Sequence, residues 1–159
     1  PLSTSGYVFP KKLLLDNKIN PETDFSHVIF SGTHDATVLA ILNKKVDAGA
    51  TFSEDKEGKM GSWTKYLSPE EIKQIKVIGA TDTIPSDNIC VSADLDPKIA
   101  DKLADVIIEY GKTEQGKAMM KKLYKFDGYL RAKDEDYEPV RAAFEASGID
   151  LKETMKKKK

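Results

Sequence analysis

The sequence predicts an α/β protein with a mainly parallel sheet, on three observations. Short apolar runs rich in β-branched and aromatic residues alternate with longer stretches of helical period. The runs are closed by glycine or small polar residues, as in FSHVIFSG from Phe25 to Gly32. The stretch from Asp96 to Tyr110 carries Ile99, Leu103, Val106, Ile107 and Tyr110 at the spacing of one helix face.

The chain opens PLSTSGYVFPKKLLL, and a helix is expected from Gly6 to Asp16, with Leu13, Leu14 and Leu15 near its end. Pro10 removes an interior hydrogen bond, so the first turn should be separate or kinked. Asn20-Pro21 marks a turn before the first strand, Phe25 to Gly32. Asp35 to Lys44 reads as a helix with Val38, Leu39, Ile41 and Leu42 on its apolar side. Val46 to Thr51 is a short strand of small residues, and Ser53 to Lys65 a polar stretch. Ser68-Pro69-Glu70-Glu71 is a helix start, with a serine cap, proline at the first position and acids in the first turn. Ile75 to Thr81 and Asn88 to Ser92 complete four expected strands. Helices follow over 96–110, 113–124 and 137–147, the last ended by Gly148.

At 159 residues the chain has the size of one domain, or of a piece of a larger protein. Its start at Pro1, directly before a motif, reads as a processed or truncated product. The formal charge is −1; without the four terminal lysines, 21 basic residues face 26 acidic ones, a charge of −5. A mildly acidic body argues against a nucleic-acid surface, and the lysine tail reads as a solvated end. Cys90 is the only cysteine, so an internal disulfide is impossible. No run of 18 apolar residues spans a membrane, and no signal peptide is legible. Two histidines and one cysteine, scattered along the chain, have no metal-ligand spacing, so neither metal nor cofactor is expected.

The chemistry concentrates in STSG. A helix start carries free N–H groups and partial positive charge, which suit a phosphate-like anion. Ser3, Thr4 and Ser5 add hydroxyl donors there, and Gly6 lets the backbone approach closely. No Lys or Arg accompanies them, which suits a ligand that must be released. The same residues also fit a plain, over-supplied helix cap. His34, in FSGTHDA, stands after a strand and at the next helix start. In an α/β sheet that rim is the ligand crevice, so His34 and Thr33 should face the same place as STSG. A hydrolase with a serine nucleophile and His34 as base competes with a binding site, although no G-x-S-x-G elbow is present and His27 lies inside a strand pattern.

The segments PLSTSGYVFP, SGTHDATVLAILNKKVDAGAT, IPSDNICV and GKAMMKKLYKFDGYLRAKDEDYEPVR, in that order, resemble the phosphonate-binding proteins of ABC importers. The resemblance covers roughly Pro1 to Ile149. It implies one three-layer lobe of a type 2 periplasmic binding protein, residues 1–83, and a hinge crossing over 84–159 that returns helices to a first lobe lacking from this sequence. It implies a ligand cleft in which Ser3, Thr4, Ser5 and His34 grip a phosphonate, phosphite or phosphate. Glu54 and Asp87 would bind the amine of an aminophosphonate, though Asp87 also suits stabilising the turn after Pro85. The implied partner is an ABC permease, the implied location periplasmic or extracytoplasmic, and the implied activity non-catalytic. A ligand-sensing module would use the same site. The incomplete lobe should leave apolar surface through which chains could associate.

Overall fold

The computed structural model describes residues 2–55, 57–124 and 126–150. In chain order a π-helical turn, Thr4–Val8, leads into α1 (Phe9–Asp16), followed by α2 (His34–Leu42), α3 (Ser62–Tyr66), α4 (Pro69–Ile72), α5 (Pro97–Lys112) and α6 (Glu114–Tyr124). A 3₁₀ turn, Asp134–Tyr137, then precedes α7 (Glu138–Ser147). Two compact units result: the described residues of Pro1–Pro85 with Tyr137–Lys159, and Ser86–Asp136.

In the first unit the opening turn is distinct from α1, as Pro10 demands. Pro10 falls in the first turn of α1, directly after the π turn, so the N–H it lacks is one that would have reached back into that turn. Val8 and Phe9 pack with Ala143 and Phe144 of α7. The buried Lys11 fastens these helices: its Nζ donates to Glu22 Oε1 at 2.5 Å and to the Ser147 carbonyl at 3.0 Å. A second cluster joins Val38 of α2 to Trp63 and Leu67. α3 forms inside the stretch expected to be a polar loop, because Trp63 and Leu67 find a buried partner that local composition does not reveal. α4 starts as its sequence predicts, with the Ser68 N–H donating to Glu71 Oε2 at 2.8 Å and the Glu71 N–H to Ser68 Oγ. Gly148, at φ 70°, ends α7 in the left-handed conformation that glycine adopts without a Cβ penalty.

In the second unit α5 and α6 pack together, with Met120 buried against Gly111. Arg131 spans two carboxylates one turn apart on α5, Asp101 at 2.9 Å and Asp105 at 2.7 Å.

The expected sheet is not seen among the described residues. Among the described residues the only β pairing is one isolated antiparallel bridge, Ser53 to Gly61, and the runs 25–32, 46–51, 75–81 and 88–92 carry no ladder. The α/β expectation is met in its helices and not in its strands. The physical reason lies in what defines a strand, which is hydrogen bonding to a neighbour rather than composition. The large apolar side chains of these runs are exposed, among them Phe25, Ile29, Phe30, Ile89, Val91 and Ile78, the last 81% exposed. No helix among the described residues is long and apolar enough to cross a membrane.

Candidate functional site

Ser3 is the N-cap of the opening turn, its Oγ accepting from the Gly6 N–H at 3.0 Å. The Ser3 carbonyl accepts from both Tyr7 and Val8 N–H at 3.0 Å, which widens the turn to the π form. Thr4 and Ser5 N–H precede the first intrahelical bond and have no intrahelical acceptor. Among the described residues neither the Thr4 nor the Ser5 hydroxyl is hydrogen-bonded. One hydroxyl therefore caps the helix and two are left over.

The structure brings His34 to this turn. A Cβ on Gly6 would crowd Ser3 Oγ at 2.9 Å, so glycine suits the close cap, and the same Cβ would meet His34 Cε1 at an ordinary contact distance of 3.7 Å, which places the ring beside the turn. The imidazole is held from two sides. Its Nδ1 is 2.9 Å from Thr51 Oγ1, and Phe52 meets the ring edge-on with centroids 5.0 Å apart. Thr51 Oγ1 in turn lies 2.6 Å from Oγ of Ser62, which is fully buried.

The start of α2 is less open than its position suggests. Thr33 Oγ1 caps it, accepting from the Ala36 N–H at 3.3 Å. A hydrogen bond from the Thr33 hydroxyl holds the Asp35 carboxyl below its usual range, helped by the Ala36 and Asp35 N–H groups and by the nearby His34. The Thr33 hydroxyl and the first-turn N–H groups of α2 are thus engaged by the chain's own Thr33 and Asp35, and His34 is the residue of this element that stands beside the Ser3–Gly6 turn.

Glu54 is paired. Its Oε1 lies 2.5 Å from Lys65 Nζ, and the same ammonium sits 4.8 Å from the centroid of Phe52, the ring that packs on His34. A lysine therefore stands one aromatic ring away from a site expected to have none. Asp87 is exposed and belongs to the other compact unit. A cavity of about 310 Å³, lined by Tyr7, Glu22, Phe25, His27 and Phe30 among others, includes none of the six expected site residues. No group of acidic, histidine or cysteine side chains able to hold a metal occurs among the described residues.

Sequence reasoning missed Thr51, Phe52, Ser62 and Lys65. Thr51 and Phe52 flank the expected Glu54 in ATFSE, so proximity in sequence could have drawn them in. Ser62 and Lys65 had no such signal, since α3 itself was unexpected.

A family model for the periplasmic phosphonate substrate-binding proteins of ABC transporters matches residues 1–137. The chain belongs to this family. Among phosphonate-binding relatives, a "Phosphonates-binding periplasmic protein" of Escherichia coli strain K12 is 32% identical over 123 residues, covering 77% of this chain and 35% of that protein. A "Phosphate-import protein PhnD" of Mycolicibacterium smegmatis is 27% identical over 166 residues, covering 94% of this chain and 50% of that protein. The chain thus spans between a third and a half of the length of these relatives. No solved structure gives a significant match. The names of these relatives lend no support to a hydrolase or a sensor. Nor does the site favour a hydrolase, because the orienting partner of His34 Nδ1 is a hydroxyl where a triad base has a carboxylate.

Proposed function

We propose that the protein is the solute-binding component of an ABC importer and that the turn at Ser3–Gly6, with His34, grips a phosphorus oxyanion. The observation that carries this is the approach of the His34 ring to Gly6, beside two uncommitted hydroxyls and two free N–H groups. A tetrahedral oxyanion with three acceptor oxygens uses such a donor set fully. Neutral donors hold it without a fixed countercharge, which favours reversible capture and handover to a permease outside the cytoplasm. The family and its relatives' names support a phosphonate or phosphate as the class of ligand.

Within this proposal the four apolar runs, which carry no ladder among the described residues, pair as strands of a type 2 periplasmic-binding fold only when both lobes are present; residues 1–83 are its second lobe, and 84–159 cross back to the first. Glu54 and Asp87 receive a ligand ammonium. Glu54 is preset for that role because it already holds one ammonium, that of Lys65. Calorimetric titration with methylphosphonate, 2-aminoethylphosphonate, phosphite and phosphate tests the proposal. Binding lost on Thr4→Ala or on replacing His34 by Ala supports it. Binding that survives both changes refutes it.

A further inference from the structure

His34, Thr51 and Ser62 form a chain of hydrogen bonds whose direction can be worked out by counting protons. Thr51 Oγ1 lies between His34 Nδ1 at 2.9 Å and Ser62 Oγ at 2.6 Å. Each hydroxyl has one proton to give, and a neutral imidazole carries its proton on one nitrogen only. Among the described residues these are the only side-chain hydrogen bonds of the three groups.

Suppose Nδ1 carried the proton. It would donate to Thr51, and Thr51 would have to donate to Ser62. The Ser62 proton would then have no acceptor in a side chain with no solvent access. If Ser62 donated to Thr51 as well, the proton of the part-buried Thr51 would be the one without an acceptor among the described residues. Only the order Ser62 to Thr51 to Nδ1 gives every proton an acceptor within the trio. That order leaves the imidazole proton on Nε2.

We infer that Thr51, directed by Ser62, is a positioning residue that fixes neutral His34 as its Nε2–H tautomer and so makes the ring a hydrogen-bond donor toward an anion. The opposite tautomer would turn a lone pair toward an oxyanion and repel it. Phe52 limits ring rotation through its edge contact, so the tautomer and the orientation are set together. This inference rests on the proposed anion site for its purpose, although the tautomer itself does not depend on any ligand.

The test is nitrogen-15 NMR of the whole chain labelled at histidine, without ligand, at about pH 9, where an imidazole is neutral. The chain has two histidines, and His27→Gln assigns the signals. The expected result is a protonated Nε2 and a bare Nδ1 for His34. Thr51→Val should collapse this to a mixture of tautomers and weaken inorganic phosphate binding several-fold, whereas Thr51→Ser should keep both. A protonated Nδ1 in the unaltered chain overturns the inference, even if Thr51→Val fails to fold. So does a folded Thr51→Val chain that retains the single Nε2–H form. The expected tautomer in a chain that binds no phosphate or phosphonate would refute the proposed function and uphold the relay.

Discussion

Replacing the three hydroxyl residues one at a time should separate capping from binding, because under the proposed function Ser3 has both tasks and Ser5 only one. Ser3 Oγ accepts the Gly6 N–H at 3.0 Å, and Ser5 Oγ has no hydrogen bond. Ser3→Ala removes an N-cap, which costs about 1 kcal/mol of stability. For a chain of this size that lowers Tm by about 2–4 °C. The same change removes a donor to a charged oxygen, worth about 1.5–3 kcal/mol, so affinity for phosphate or methylphosphonate should fall about 10- to 150-fold. Ser5→Ala should show the affinity loss with Tm unchanged. Ser3→Asp is the sharper variant, since aspartate caps as well as serine and suits the helix dipole. It should keep or raise Tm while its charge excludes the anion. Thermal melts and calorimetric titration of the three variants read both quantities. Equal Tm losses in Ser3→Ala and Ser5→Ala, or full affinity in Ser3→Asp, would refute the reasoning.

Three other outcomes follow from pairs already described. Lys65→Met frees Glu54 from an ammonium 2.5 Å away, so the ratio of 2-aminoethylphosphonate to methylphosphonate affinity should rise about 2- to 5-fold, the range of a partly exposed ion pair; an unchanged ratio in titration contradicts the amine role of Glu54. The Asp55 carboxyl accepts from Lys59 N–H at 3.0 Å and Met60 N–H at 2.6 Å, and these bonds hold it below the usual range. Their contribution is present above the ordinary aspartate value of about 3.9 and lost as pH falls through the lowered one, so the protection of those two amides relative to their intrinsic exchange rates should fall on acidification and in Asp55→Asn; protection unaltered in that variant argues against it. Lys11 is raised by its hydrogen bond from Nζ to Glu22, so its contribution persists through neutral pH and is lost only above about pH 10.4, as pH rises through the raised value. Lys11→Met should cost about 1–3 kcal/mol in denaturant unfolding near pH 7 by stranding the Ser147 carbonyl, and a loss near zero would deny the fastening of α1 to α7.

What was legible in the sequence was what depends on near neighbours. A hydroxyl cap at the first helix start, the break imposed by Pro10, the start of α2 at His34, the Ser68–Glu71 box and the Gly148 stop each involve residues within one turn of one another, although the opening turn begins at Thr4, not at Gly6. What was not legible depends on distant partners. Trp63 and Leu67 make a helix of a polar stretch by packing on Val38, and that helix delivers Ser62 to Thr51 and Lys65 to Glu54. The apolar runs carried the composition of strands, but among the described residues they lack the ladder partners that make one, and Ile78 and its neighbours stand exposed. The hydroxyl motif and His34 could each be found alone. Their meeting at Gly6 could not, because 28 positions of chain separate His34 from Gly6 and no periodicity spans them.

The central claim is that a phosphorus oxyanion binds at the Ser3–Gly6 turn beside His34. A titration of the nitrogen-15-labelled chain with methylphosphonate, followed residue by residue at constant ionic strength, addresses it most directly. Saturable shifts concentrated at Thr4, Ser5 and Gly6 amides and at His34 Nε2, absent in a matched chloride titration, are the predicted result. Shifts centred instead on the cavity around Phe25 and His27, or no saturable shift at the turn, would contradict the claim.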